Sequence, residues 1–198
     1  MRQNERSTPL ELTYRLRRRE LLRSLGVAGL GGVVLLGLEN LPTYAKGPRP
    51  GPKAYPFEGA TYKIVSVSSG KVLDVPNFAA GNGALIQQFQ DDGGANQHWQ
   101  ILPAGNGVYK IVSASSGKVL DVPDFAADNR IIQQFQDNGG ANQHWQVLLV
   151  KGDIYKITSI SSGKVLDVPD FATGDGTLIQ QFQDNGGANQ RWRLVQVS

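Results

Sequence analysis

The sequence predicts an all-β domain made of three copies of one unit. Three observations carry this: a block that recurs at near-constant spacing, β-type alternation inside each block, and no long amphipathic helix beyond residue 40. Each unit opens on Tyr-Lys-Ile, at Tyr62, Tyr109 and Tyr155. It runs through Ser-Gly-Lys-Val-Leu-Asp-Val-Pro, from Ser69, Ser116 and Ser162, and closes on Gly-Ala-Asn-Gln-x-Trp. The closing Trp99, Trp145 and Trp192 are the only tryptophans and stand 46 and 47 residues apart. The second unit lacks one residue between Phe125 and Gln133, in a polar stretch that reads as a loop.

Within a unit, Tyr62, Ile64 and the Val/Ser stretch after them favour a first strand. Leu73 and Val75 flank Asp74, so the aspartate faces away from two apolar neighbours. In the stretch from Leu85 to Gln90, Gln87 and Phe89 share one face, and Ile86 and Gln88 the other. Pro76 and the pairs Gly93-Gly94, Gly139-Gly140 and Gly186-Gly187 mark turns. The count is about four strands per unit, over repeats of about 59–104, 105–151 and 152–198. A propeller needs about four blades or more, and an open solenoid has atypical end repeats. Three nearly equal units fit a closed three-fold structure better.

The N-terminal segment 1–45 has a different character. Arg15, Arg17, Arg18, Arg19 and Arg23 precede an apolar run of 14 residues from Leu25 to Leu38, then Pro42 and Ala45. Positive region, apolar region and small residue come in the order of an export signal, and the run is shorter than the roughly 20 residues of a membrane span. Arg18-Arg19-Glu20-Leu21-Leu22-Arg23 resembles the twin-arginine motif, which implies bacterial export and a secreted or extracytoplasmic location. The alternative is an uncleaved anchor, the one route by which the protein would meet a membrane. Residues 46–58, rich in Pro, Gly and Lys, read as a stiff, exposed linker.

Charge and composition exclude several classes. Residues 1–45 hold seven Arg and four Glu, and the remainder holds 13 basic and 13 acidic residues. The basic excess therefore belongs to the export segment, and no nucleic-acid partner is expected. With no Cys and only His98 and His144, disulfides, thiol chemistry and a metal site have no support. No cofactor is expected either.

Gln-x-Trp closing three in-register units, with Leu-Asp-Val upstream, resembles the ricin B-type lectins over about Tyr62 to Val197. That resemblance implies a β-trefoil with pseudo-three-fold symmetry: a six-stranded barrel capped by three hairpins. It also implies carbohydrate binding, with glycans or polysaccharide as partners and galactose-type sugars among them. The site it implies maps to Asp74, Gln87, Phe89, Asn96 and Gln97 in the first unit. In the second it maps to Asp121, Gln133, Phe135, Asn142 and Gln143, and in the third to Asp167, Gln180, Phe182, Asn189 and Gln190. The aromatic position is usually Trp or Tyr in such lectins and is Phe here. The other repeated aromatic, Phe78, Phe125 or Phe171, is the alternative stacking ring. Gln97, Gln143 and Gln190 are also expected to bond the backbone and hold the chain beside each Trp.

Strand alternation supports the same seat independently, because an outward Asp beside an outward ring suits a pyranose with its hydroxyls and apolar C–H face. In the structural alternative, Asp accepts turn amides, Asn caps a turn and Phe is core. No enzyme is expected: Glu58 is the only Glu after residue 45, and the prominent Asp residues repeat by symmetry where an active site would break it. His98 and His144, with Arg191 at the third equivalent place, read as strand residues facing solvent. The competing function is a trefoil that binds or inhibits proteins without sugar.

Overall fold

The structure is a computed structural model that describes Phe57 and residues 59–197. The segment 1–45 expected to be an export signal, the expected linker up to residue 56, Glu58 and Ser198 lie outside the described residues. Fourteen strands lie within the described residues. The long ones are β1 (Thr61–Ser66), β5 (Trp99–Gly105), β6 (Val108–Ser113), β9 (Trp145–Lys151), β10 (Ile154–Ser159) and β14 (Trp192–Gln196). They pair antiparallel in one closed ring, β1 to β5, β6, β9, β10, β14 and back to β1. Closure removes the free edges that an open sheet of this size would expose. Three short hairpins sit on this barrel: β2 (Val72–Asp74) with β4 (Gln87–Phe89), β7 (Val119–Asp121) with β8 (Gln133–Phe135), and β11 (Val165–Asp167) with β13 (Gln180–Phe182). This is the expected β-trefoil, a six-stranded barrel with three hairpins.

The unit has one more piece than the four strands read from sequence. Residues before Ile86 and Ile179 form the two-residue strands β3 (Ala84–Leu85) and β12 (Thr177–Leu178), which pair with the hairpin of the next unit. In the shortened second unit only a single bridge, Ile131 to Gln180, remains. The strand expected to run unbroken from Leu85 is interrupted at Ile86 because Ile86 bonds elsewhere. Its N–H donates to the Ile132 carbonyl (2.9 Å), Ile132 donates to Ile179 (2.8 Å) and Ile179 donates back to Ile86 (2.9 Å). One fully buried isoleucine per unit thus closes a ring of main-chain hydrogen bonds about the pseudo-three-fold axis.

The core is assembled from the repeated apolar positions. Trp99, Trp145 and Trp192 are fully buried, and each faces the opening tyrosine of its own unit across the barrel ladder. Each indole N–H donates to the carbonyl of the Leu-Asp-Val leucine, Leu73, Leu120 or Leu166, at 2.9–3.1 Å. A buried indole donor is therefore satisfied while its ring fills the barrel. Buried glutamines join the units. Gln88 Nε2 donates to the carbonyls of Ala172 and Gly174, Gln134 Nε2 to Ala79 and Gly81, and Gln181 Nε2 to Ala126 and Asp128. Their Oε1 atoms accept from Ser69, Ser116 and Ser162.

One core residue comes from outside the repeats. The exposed linker expected over residues 46–58 does not extend to Phe57, whose ring is 4% exposed. It packs edge-on against Tyr62, Tyr109 and Tyr155 at centroid distances of 5.9, 5.4 and 5.6 Å. Three tyrosines converging on an axis leave a gap that no symmetric residue fills, and one asymmetric ring closes it. Truncating a buried Phe costs about 3–5 kcal/mol through lost contacts and a residual cavity. Phe57→Ala is accordingly expected to lower unfolding free energy by about 3 kcal/mol in urea titration, with the denaturant slope unchanged.

Candidate functional site

Each hairpin builds one hollow. The register of β2 and β4 sets Asp74 opposite Gln87, and the same pairing sets Asp121 opposite Gln133 and Asp167 opposite Gln180. Gln87 Nε2 donates to Asp74 Oδ1 at 2.6 Å, and Asn96 Nδ2 donates to Asp74 Oδ2 at 2.7 Å and to the Val75 carbonyl at 3.0 Å. The second and third units repeat the clamp, Gln133 and Asn142 on Asp121, Gln180 and Asn189 on Asp167, at 2.7–2.8 Å. The carboxylates are thus held by side-chain amides, not by the turn amides of the structural alternative. They are less outward than strand alternation suggested: Asp74, Asp121 and Asp167 keep only 2–3% exposure and form the floor of the hollow. Pairing with amides makes that depth tolerable for a charge. Burial still pushes the Asp74 and Asp167 carboxyls above their ordinary value, against the amide bonds from Gln87 and Gln180, and the nearby charges of Asp92 and Asp170 add to the rise.

The walls come from two turns. One is the single 3-10 turn after each hairpin strand, Pro76–Phe78, Pro123–Phe125 and Pro169–Phe171. Its last two residues lie in the left-handed region, with φ of 52° at both Asn77 and Phe78, 54° at Asp124 and Phe125, and 49° and 54° at Asp170 and Phe171. Asn and Asp tolerate that conformation, but a bulky aromatic does not adopt it without cost. The strain holds Phe78, Phe125 and Phe171 outward, more than half exposed. The other wall is the Gly-Gly turn. A Cβ on Gly94 would meet the Phe78 ring at 3.2 Å, Asp92 Oδ1 at 3.0 Å and Asn96 Oδ1 closer still, and Gly140 and Gly187 are equally confined. Only a glycine lets these groups converge.

The first hollow is lined by Asp74, Asn77, Phe78, Gln87, Phe89, Asp92 and Asn96. The second is lined by Asp121, Asp124, Phe125, Gln133, Phe135, Asn138 and Asn142, and the third by Asp167, Asp170, Phe171, Gln180, Phe182, Asn185 and Asn189. They are shallow and open to solvent, with volumes of about 290, 210 and 210 Å³, below the usual range of enclosed small-molecule sites. Two phenyl rings, two acids and amides face one space, a combination suited to a polar ring molecule with one apolar face.

Four of the five residue types expected in each site line its hollow. The fifth does not: Gln97, Gln143 and Gln190 are fully buried one layer beneath. Their Nε2 atoms donate to the carbonyls of Gln90, Gln136 and Gln183 at 2.9 Å, and their Oε1 atoms accept from the N–H of Asp92, Asn138 and Asn185. They secure the Gly-Gly wall and cannot touch a ligand, so their expected place in the binding set is corrected to a positioning role. The residues that sequence reading did not assign are Asn77, Asp124 and Asp170, and Asp92, Asn138 and Asn185. The signal for the first set was present in the recurring Pro-(Asn/Asp)-Phe, since Asn and Asp before an aromatic suit a left-handed turn. His98 and His144 are half-buried at the ends of 3-10 turns and do not face solvent as expected. Arg191 at the third place donates to Asp184 Oδ1 and to the Gln190 carbonyl, both at 3.1 Å.

Comparison with known proteins places this arrangement. No curated protein matches the sequence. Among solved structures, a designed 3-fold symmetric protein, ThreeFoil, is 40% identical, with a TM-score of 0.68 over 69% of this chain and 99% of that one. An exo-beta-1,3-galactanase from Clostridium thermocellum is 42% identical, with a TM-score of 0.69 over 72% of this chain, which spans only 31% of the galactanase. A ricin B-like lectin of Macrolepiota procera, solved with lactose, is 25% identical, with a TM-score of 0.62 over 70% of this chain and 96% of that one. Residues 54–135 and 141–198 match the family described as ricin-type beta-trefoil lectin domain-like, and with the three clamped hollows on the trefoil this chain belongs to that family.

Proposed function

We propose that this protein is an exported carbohydrate-binding lectin that uses three weak, near-equivalent sites together. The observation that carries the reading is the convergence, in each unit, of an amide-clamped aspartate, side-chain amides and two phenyl rings on one open hollow. The exposed, strained Phe78, Phe125 and Phe171 supply flat faces for the apolar side of a pyranose. Few contacts per hollow imply dissociation near millimolar, about −4 kcal/mol, with avidity on a polymer where the spacing allows several hollows to engage. The role is binding and not catalysis. The likeness to a lactose-bound lectin and to part of a β-1,3-galactanase makes galactose-type sugars the first probes. The twin-arginine-like N-terminus supports action outside the cell.

A glycan array with lactose and β-1,3-galactan among the probes, competed by free sugar, tests the reading. The triple variant Asp74→Ala, Asp121→Ala, Asp167→Ala is expected to lose at least tenfold in affinity while keeping the wild-type Trp emission of the folded barrel. Unchanged glycan binding by that folded variant would refute the site. Binding that free sugar fails to compete would favour the protein-binding trefoil.

Acid separates binding from folding. The raised Asp74 and Asp167 carboxyls take up protons first as pH falls, above the ordinary carboxylate range, and a protonated acid is a poorer acceptor. Their protonation does not itself unfold the chain, because burial disfavours their charged form. Asp91, Asp137 and Asp184 behave oppositely. Hydrogen bonds from Lys63, Lys110 and Lys156 hold their carboxyls low, that of Asp184 at about 2. Their contribution to stability is present above the unfolded carboxylate value and is lost as pH falls through the folded values. Sugar affinity is thus expected to decline at a higher pH than the acid unfolding seen by near-UV circular dichroism. Coincident midpoints would contradict this ordering.

A further inference from the structure

Each hollow carries a second carboxylate that the amide clamp does not need. In the first it is Asp92, on the Gly-Gly wall. In the second and third it is Asp124 and Asp170, on the wall that carries the exposed Phe. Where one wall holds the acid, the facing wall holds Asn: Asn77 opposite Asp92, Asn138 opposite Asp124, Asn185 opposite Asp170. The position of the second acid therefore changes, while the number of carboxylates lining each hollow stays at two. No lysine or arginine lines any of the three. Lys63, Lys110 and Lys156 lie on the barrel strands β1, β6 and β10 and are tied to Asp91, Asp137 and Asp184 at 2.6–2.8 Å.

Resting on the lectin reading above, we infer that the hollows select neutral glycans and reject acidic ones, with Asp92, Asp124 and Asp170 as the specificity-determining residues. The excluded class comprises uronic, sialic and sulfated sugars. The chemistry is direct. A hydroxyl can donate to a carboxylate, whereas a sugar carboxylate or sulfate only accepts. An anionic sugar would therefore meet acceptors and two like charges at close range with no cation to offset them. Residues 46–198 carry equal numbers of basic and acidic residues, so no opposing overall charge counters this local repulsion. Each of the three acids also has Asn at its equivalent place in another hollow, namely Asn138 and Asn185 for Asp92, and Asn77 for Asp124 and Asp170. Asp→Asn is thus a change the fold already accepts at both places.

The test is a nuclear magnetic resonance titration with pairs of methyl pyranosides that differ only in oxidation at C6, beginning with methyl galactoside and methyl galacturonide. In the wild-type protein the uronide is expected to bind on the order of tenfold more weakly at low ionic strength, with the gap narrowing in high salt as the charges are screened. In the Asp92→Asn, Asp124→Asn, Asp170→Asn variant the ratio of the two affinities is expected to fall toward one, whatever the absolute affinities become. Equal binding of both members of each pair by the wild type, or a ratio the variant leaves unchanged, would overturn this inference alone. Binding of neither member of any pair would overturn the lectin reading together with it.

Discussion

Everything in this molecule depends on closing a cycle of three units. Each unit alone is a few short strands, too little to bury a core, and the cycle supplies what is missing. The ring of Ile86, Ile132 and Ile179 main-chain bonds and the glutamines Gln88, Gln134 and Gln181 reach from each unit into another. A buried amide that meets two carbonyls and a serine hydroxyl is fully satisfied, and the low-dielectric surroundings make such a network costly to break. Because each set of bonds runs right round the cycle, no unit is terminal, and none needs the polar cap that an open repeat array requires.

The tripeptide Gln-Gln-Phe shows how closely folding and binding are interleaved. Its central residue faces inward and joins the units. Its first residue faces the hollow and clamps the aspartate, and its phenylalanine lines the same hollow. The period of two along a strand is enough to separate these duties. The Trp motif works the same way: the ring fills the barrel, the glutamine two residues earlier fixes the Gly-Gly wall, and the asparagine before that meets the aspartate. A substitution in either motif therefore alters site geometry through the backbone even where it touches no ligand.

The repeats made the fold and most of the hollow legible in the sequence. Alternation separated Gln87 and Phe89 from Ile86 and Gln88 correctly, because period-2 facing holds wherever one side of a strand is buried. What escaped was set by closure and backbone strain, neither of which leaves a periodic trace. The break at Ile86 follows from a bond to another unit. Phe57 was read within a Pro-rich linker because nothing in the local composition shows that three tyrosines converge on it. Gln97 carried two readings, ligand contact and backbone tether; only its complete burial separates them, and burial is a tertiary property. The outward aspartate was right in direction and wrong in depth, because the strained Phe turn and the Gly-Gly wall rise on either side of it.

The places where the three units differ are as informative as those where they agree. At the Gly-Gly wall, Asp92 Oδ1 accepts from the Gly94 N–H at 2.9 Å, and Asn138 and Asn185 accept the same bond from Gly140 and Gly187 at 2.8 Å. The turn is satisfied equally by acid or amide. At the Phe wall, Asn77, Asp124 and Asp170 all occupy the left-handed region within a few degrees of one another. Backbone geometry is indifferent to charge at both positions, and yet no hollow has two acids on its walls or none. A scaffold that demands near-identity in its core leaves these two positions free. What distinguishes acid from amide there is the electrostatic character of the space between the walls, which belongs to whatever occupies it.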